Sequence, residues 1–296
     1  MDENTINITQ IIMQTINTLF ENLFSSIDNN LYSIIDDITF IGPDLLHNSP
    51  FQKIFGSSPT EGFLLIANSL LFGFLIYYGI KLLLSNFTYM QLERPYQFLF
   101  KIIIFGILMN GSFFLCDQIL SLVSYFTLAI REIGESLFSK SICFSTLITE
   151  LNSIVSINGS SFNIFSLDGI IKSIISLGIF NLLFSYSLRY VLIQVFILLS
   201  PFAILSLSIQ STSWFFKIWF RTFLSLLALQ FFIPIILILI FSLHYDSNDL
   251  FNKFIYIGGI YALIKSNFII RDFIGGISTE VSSQLSNYSN IFKGGS

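Results

Sequence analysis

The sequence predicts an all-α, polytopic integral membrane protein with about five transmembrane helices. Hydrophobic residues make up 53% of the 296 residues and charged residues only 11%, whereas soluble domains are about 25% charged. Mean hydropathy is +0.76. Several apolar runs reach the roughly 20 residues that a helix needs to cross a bilayer. The chain has room for five or six such spans, so we expect no separate soluble catalytic domain.

Residues 1–62 are predicted to form an acidic, extracytoplasmic N-terminal region that precedes the first span. They hold eight acidic residues and a single cation, Lys53. Apolar residues recur there at helical spacing, which predicts an amphipathic helix. These residues are Ile8, Ile11, Ile12, Ile16, Leu19, Leu23 and Ile27. The helix lies on the membrane or packs on a partner, and its lack of a basic face favours a partner. Because a signal peptide begins with basic residues, we expect this acidic start to be retained.

The remaining residues, 63–296, are predicted to form the transmembrane domain. We expect spans at about 63–84, 98–122, 182–209, 222–243 and 254–270, and a long extracytoplasmic loop at about 123–168. Asp117 in the second span costs about 2.5–3.5 kcal/mol at a helix centre, and fifteen Leu, Ile and Phe residues at about 0.3–0.6 kcal/mol each outweigh it. Residues 169–209 leave a six-span alternative, with two spans hinged at Arg189.

The placement of Lys and Arg predicts the orientation. In the five-span arrangement Arg94, Lys217 and Arg221 fall in short loops on one side, and Arg271 and Lys293 follow in the tail. Since cations in short loops mark the cytoplasmic side, this places the N-terminus outside and the C-terminus in the cytoplasm. Six spans would scatter the cations over both sides, so we prefer five.

Six polar residues within the predicted spans are candidates for helix packing or for lining a pore. They are Asn110, Asp117, Asn181, Arg189, Gln194 and Gln230. Hydrogen bonding between helices of one subunit explains such residues equally well. For Arg189 the sequence leaves two alternatives. Its side chain snorkels from the outer end of span three, or it lies deeper and pairs with Asp117.

Other residues predict where a span bends or ends, where two spans pack closely and where a span is anchored at the membrane interface. Pro201 is expected to kink or end its helix, which makes it a candidate hinge. Ser69 and Gly73 form a small-xxx-small pair that lets two helices approach closely. A patch of aromatic and cationic residues between spans three and four is predicted to anchor a cytoplasmic hairpin at the membrane interface. That patch consists of Trp214, Lys217, Trp219 and Arg221.

The sequence contains none of the common catalytic or metal-binding motifs. Its two histidines, His47 and His244, belong to no HExxH, and GxSxG and P-loop patterns are absent. Cys116 lies in an apolar run and Cys143 in a loop, so we expect no disulfide framework. The prediction is therefore a protein that is not an enzyme and carries no cofactor or metal.

A family resemblance rests on a stretch in the C-terminal half. Its features are Arg189-Tyr190, an apolar run to Ser200-Pro201-Phe202-Ala203, Trp214 and Trp219 with Lys217, and Gln230. With the expected five spans and large outer loop, this stretch resembles the TrbL family, also called VirB-six-like. These proteins are polytopic channel components of bacterial type IV secretion (conjugation) systems. The resemblance covers roughly residues 180–275.

The resemblance implies a multi-pass protein of a bacterial cytoplasmic membrane that helps to pass DNA or protein across it. The implied partners are the lipid bilayer, further copies of the chain, secretion ATPases, the coupling protein and, transiently, the transferred substrate. Two alternatives stay open. A small-molecule permease would show paired repeats with broken helices, which the sequence does not show, and an assembly scaffold would form no pore.

Overall fold

The computed structural model describes residues 10–20, 22, 34–56, 58–88, 94–155, 166–242 and 250–274. Helices are the only regular secondary structure within these residues, as predicted. They are α1 (10–20), α2 (Ser49–Phe55), α3 (Gly62–Thr88), α4 (Pro95–Asn110), α5 (Ser112–Phe138), α6 (Phe144–Val155), α7 (Leu167–Leu198), α8 (Ser200–Ser206), α9 (Ser213–Ser242) and α10 (Leu250–Ile274), with a helical segment at 34–39 and single 3-10 turns at Pro43–Leu45 and Gln210–Thr212.

Four of these helices are long and apolar enough to cross a membrane. They are Gly62–Ser85, Ser112–Phe138, Gly169–Leu198 and Ser213–Ser242. The helix α10 bends by 41° between Ser266 and Phe268, and it makes a fifth span if its two parts are taken together. The described chain is thus consistent with a multi-pass membrane protein.

Local sequence signals explain several helix ends. Pro95 and Pro201 stand in the first turns of α4 and α8, where a missing N–H leaves no hydrogen bond unmade. The Ser166 hydroxyl caps α7 by accepting a hydrogen bond of 3.0 Å from the Gly169 N–H. At the other end of α5, Ser139 turns into the left-handed region with φ of 53°, a common way to stop a helix.

The second predicted span and the long outer loop have other bounds in the structure. The span at 98–122 is divided between α4 and α5, which part at Gly111. The helix α5 then continues to Phe138, so the described part of the predicted loop at 123–168 is mainly helical. The first part of the predicted loop thus belongs to a helix that is buried at Thr127 and Gly134.

Span three also lies earlier in the chain than predicted. It begins at Gly169 rather than at residue 182, and it ends at Leu198 rather than at residue 209. The helix passes through Arg189 without a break, so the hinge of the six-span alternative is wrong. The cause is that Arg189 is accommodated by polar contacts inside the bundle and does not need to reach a surface.

The helix α9 is central to the bundle. In the most apolar stretch of α9, 61% of the residues are buried, compared with 44% in α7 and 11% in α3. Contacts along its length show that it runs antiparallel to both α7 and α10. The pairs are Trp219–Phe196, Leu226–Arg189, Ile240–Gly259 and Arg221–Ile274. The helix α5 runs parallel to α9, since Thr127 donates to the Gln230 carbonyl and Gly134 lies against Ile238.

The helices α3 and α4 form an antiparallel hairpin. The amides of Asn68 and Asn110 exchange two hydrogen bonds of 3.1 and 3.2 Å near one end, and the Tyr78 and Phe98 rings stack further along. Much of the α3 surface stays exposed. In particular, no atom lies within 4 Å of a Cβ placed on Gly73, so the predicted small-xxx-small pair makes no close helix contact in the described chain.

Part of the predicted N-terminal region belongs to the bundle core. In the segment 34–46, Ile35, Ile41 and Leu46 are buried among residues of the long helices. Asp36 caps α6, because its carboxylate accepts hydrogen bonds from the backbone N–H groups of residues 144 and 145 at 2.7 and 3.1 Å. The segment 34–46 therefore packs as part of the bundle of long helices.

The structure describes only part of the predicted amphipathic helix. Residues 10–20 are helical, and Ile11, Ile12 and Leu19 are exposed. Ile8, Leu23 and Ile27 lie outside the described residues. Packing of this helix on a partner therefore stays a prediction.

Two glycines provide a matched test of the packing between α5 and α9. A Cβ on Gly134 would lie 2.6 Å from Ile142 Cγ1 and 2.7 Å from Ile238 Cγ1, whereas one on Gly79 would meet nothing. We expect Gly134→Ala to lower the melting temperature of the purified protein, because overpacking costs about 1–3 kcal/mol. Gly79→Ala should leave it unchanged or raise it, since alanine favours an exposed helix by about 0.5–1 kcal/mol. Equal effects of the two substitutions would contradict this packing.

Candidate functional site

A fully buried arginine lies at the centre of the bundle. Arg189 on α7 is 0% exposed, and its guanidinium donates hydrogen bonds to three uncharged oxygens. Nε donates to the Leu226 carbonyl at 3.0 Å, Nη1 to the Thr39 carbonyl at 3.2 Å, and Nη2 to Gln230 Oε1 at 3.2 Å. Arginine therefore joins α7 to α9 and to the segment that precedes the first span.

The local sequence explains why these acceptors meet. Gln230 follows Leu226 by four residues, so both lie on one face of α9. Gln230 also donates from Nε2 to the Ile41 carbonyl at 2.7 Å. The carbonyls of Thr39 and Ile41 are available because the chain leaves its helical segment there. Arg189, Gln230, Leu226, Thr39 and Ile41 are called the Arg189 cluster below.

Magnitudes indicate how a buried charge is tolerated here. An arginine at a helix centre in a membrane costs about 2.5–3.5 kcal/mol on insertion scales. A hydrogen bond to a charged group contributes about 1.5–3 kcal/mol, and the cluster provides three of them. The three hydrogen bonds together therefore offset this cost, and the loss of any one chain segment removes part of the compensation.

Both sequence-based interpretations of Arg189 are wrong. The side chain does not snorkel to a surface, and it does not pair with Asp117. The Asp117 carboxylate on α5 lies 3.5 Å from Nε2 of His47, and its side chain is 19% exposed. Sequence reasoning missed two of the acceptors of Arg189 because they are backbone carbonyls, and one of these, Thr39, belongs to a segment that was expected to lie outside the membrane.

Of the six predicted polar positions, the structure brings only Arg189 and Gln230 into contact with one another among the described hydrogen bonds. Asn110 pairs instead with Asn68, at an exposed position of the α3–α4 hairpin. Asn181 and Gln194 are half-buried on α7. Their role in packing or in lining a pore stays a prediction.

Pro201 is buried in the first turn of α8, directly after α7 ends at Leu198. The helix α7 thus ends shortly before this proline, which lies at the beginning of the next helix. The backbone remains locally continuous, since the Ala203 N–H donates to the Leu199 carbonyl at 3.0 Å. A hinge motion at Pro201 stays a prediction.

The aromatic and cationic patch lies on the first two turns of α9 and not in a hairpin loop. Trp214, Lys217 and Arg221 are exposed, as an interface anchor requires. Trp219 is only 5% exposed, its indole N–H donates to the Phe196 carbonyl at 2.8 Å, and its ring stacks on Phe223. The prediction that Trp219 anchors the chain at the interface is wrong, because its side chain faces α7.

Other reactive residues form no further centre in the part of the chain that the structure describes. No group of three or more His, Cys, Asp or Glu side chains there could hold a metal ion. Cys116 and Cys143 are both free and buried. What the Arg189 cluster can do chemically is to hold a positive charge and three chain segments together.

In comparisons with protein families, with curated proteins and with solved structures, nothing matches this chain. The fold and the site therefore define a class alone, a helical protein whose four to five long apolar helices are consistent with a multi-pass membrane protein and whose bundle is built around a buried arginine.

A substitution at Gln230 tests the Arg189 cluster. Gln230→Leu removes one acceptor from Arg189 and the donor to the Ile41 carbonyl, and we expect a melting temperature several degrees below that of the wild type. Gln194→Leu is the matched control, because Gln194 is half-buried on α7 and no hydrogen bond of its side chain belongs to the cluster. Limited proteolysis should also cut the segment 34–46 faster in Gln230→Leu only. A Gln194→Leu protein as unstable as Gln230→Leu would contradict the role of the cluster.

Double substitutions separate the two partners that have been considered for Arg189. We expect Arg189→Met with Gln230→Leu to be less destabilised than the two single effects predict, because two apolar groups leave fewer buried polar atoms unpaired. Arg189→Asp with Asp117→Arg should be no more stable than Arg189→Asp alone. Rescue by that charge reversal, measured by yield of folded protein in detergent, would restore the Asp117 pair.

Proposed function

We propose that this protein is a channel component of a conjugative type IV secretion machine in the cytoplasmic membrane of a bacterium. Several copies surround a route along which DNA or protein passes. The chain is not an enzyme and holds no cofactor, and secretion ATPases and the coupling protein supply energy and substrate. Its N-terminus lies outside and its C-terminus in the cytoplasm.

The observation that carries this proposal is the way the family-like residues meet. They are spread over residues 189–230 in the sequence, yet Arg189 and Gln230 are hydrogen-bonded at 3.2 Å and Trp219 is bonded to Phe196 on α7 at 2.8 Å. A loose sequence pattern thus corresponds to one packed unit of α7, α8 and α9. The residues that carry the resemblance therefore share one structural role in this chain, which is the packing of α7 on α9.

The α3–α4 hairpin supports the presence of several copies. Its first helix, α3, is the least buried of the four long apolar helices in the described chain, and the Asn68–Asn110 pair of the hairpin is exposed. Polar residues within membranes promote contacts between helices. A neighbouring copy would cover this pair and the apolar surface around it.

A second candidate function is an assembly scaffold that forms no pore. Two of the predicted pore-lining residues favour it, because the side chains of Arg189 and Gln230 are engaged in hydrogen bonds within one chain. Such a protein would hold the machine together and never touch the substrate.

Crosslinking during conjugation tests these proposals in the bacterium that carries this protein. A photoreactive amino acid is placed at Asn181 or Gln194, the half-buried polar positions of α7, and at exposed Phe273 as a control. We expect DNA or substrate protein to be captured at an α7 position and not at Phe273, and only when the secretion ATPase is active. Loss of transfer on gene deletion without any capture would favour the scaffold. Unimpaired transfer after deletion would overturn both.

A further inference from the structure

An apolar groove lies where α3, α8 and the start of α9 meet. Its volume is about 260 Å³, below the roughly 300–1,000 Å³ of pockets that enclose compact ligands. Six apolar or aromatic side chains line most of it. They are Leu70, Phe74, Phe202, Leu205, Trp214 and Phe215. A narrow apolar groove of this size suits a single hydrocarbon chain.

The two hydroxyl groups that border the groove are already engaged. Ser206 Oγ donates to the Ala203 carbonyl at 2.6 Å, and Thr212 Oγ1 donates to the Ser206 carbonyl at 2.8 Å. Neither hydroxyl therefore directs a free donor at a ligand. The groove offers apolar surface, and what enters it must be apolar.

The groove opens at the outer surface of the helix bundle. Leu70 on α3 and Trp214 on α9 are both exposed on its rim. In a chain whose long helices are apolar enough to cross a membrane, the molecules with access to such a surface are the lipids. Tryptophan is enriched at the level of the lipid headgroups, which fits the start of α9.

Two cations follow the groove along α9. Lys217 and Arg221 lie three and seven residues after Trp214, and therefore on the same helix face. Both are exposed. The Arg221 Nε donates to the Ile274 carbonyl at the end of α10, which fixes its guanidinium at this end of the bundle. An apolar groove and a cationic pair on one face match the two parts of an anionic lipid.

We propose that this face binds one anionic phospholipid, with an acyl chain in the groove and the phosphate group at Lys217 and Arg221. Charge complementarity decides the headgroup, since basic residues beside membrane helices attract anionic lipids. The site is independent of what the protein transports, so it can be tested on the purified chain.

The groove contains its own reporter, because Trp214 lines it and Trp219 is buried away from it. The purified protein is placed in mixed micelles with phosphatidylglycerol or phosphatidylcholine that carries bromine on an acyl chain, since bromine quenches tryptophan fluorescence on contact. We expect stronger quenching with brominated phosphatidylglycerol at equal lipid content. Trp214→Phe should lose most of this quenching, because only buried Trp219 remains.

A charge substitution tests the headgroup contact. Lys217→Gln should reduce the preference for phosphatidylglycerol over phosphatidylcholine by about fivefold, as one cation fewer faces the phosphate. Lys81→Gln on α3, an exposed cation outside the groove, should leave the preference unchanged. Equal quenching by both lipids in the wild type would overturn the proposal, because it would mean that lipid only surrounds the protein. Absence of quenching, which would show that something else covers the groove, would overturn it as well.

Discussion

The bundle depends on the need of one buried guanidinium for uncharged oxygen atoms. Arg189 cannot reach water from the middle of α7, and its three acceptors come from α9 and from the segment before the first span. Gln230 serves both sides of this arrangement, since it accepts from Arg189 and donates to the Ile41 carbonyl. Because an unpaired polar group is far more costly inside a membrane bundle than in water, these contacts select one arrangement of helices among the many that apolar packing alone would allow.

Hydropathy was sufficient to predict the helices that are continuous and uniformly apolar. The first span at 63–84 corresponds closely to α3, and the span at 222–243 overlaps α9, which begins earlier, at Ser213. Hydropathy failed to predict the helix bounds where a helix contains charged residues. The predicted loop at 123–168 includes Arg131 and Glu132, yet α5 continues past them to Phe138. Glu132 is exposed and the Arg131 guanidinium lies 4.6 Å from the centre of the Phe40 ring, while Thr127 and Gly134 pack on α9. Gly111, which divides α4 from α5, carries no such signal when it stands among apolar residues.

The candidate site was predictable in its members and not in its contacts. Arg189 and Gln230 are recognisable as polar residues in apolar surroundings, and a proline in an apolar run predicts the end of α7. The partners were not predictable, because backbone carbonyls are the same in every residue and no side chain identifies Thr39 or Ile41 as acceptors. Trp219 illustrates a related limit. A tryptophan close to cations is typical of an interface anchor. Its position on α9 instead places the Trp219 side chain against α7, and only the arrangement of the helices reveals this.

The threading of the segment 34–46 into the bundle has a consequence for biosynthesis. Thr39 and Arg189 are 150 residues apart in the chain, and Ile41 and Gln230 are 189 apart. At ribosomal speeds of about 5–20 residues per second, the early segment waits roughly 10–40 seconds for its last partner to be made. Arg189 itself is made roughly 2–8 seconds before Gln230, which lies 41 residues later. The cluster is therefore completed late in synthesis, and this delay gives a chaperone an interval in which to hold the incomplete bundle.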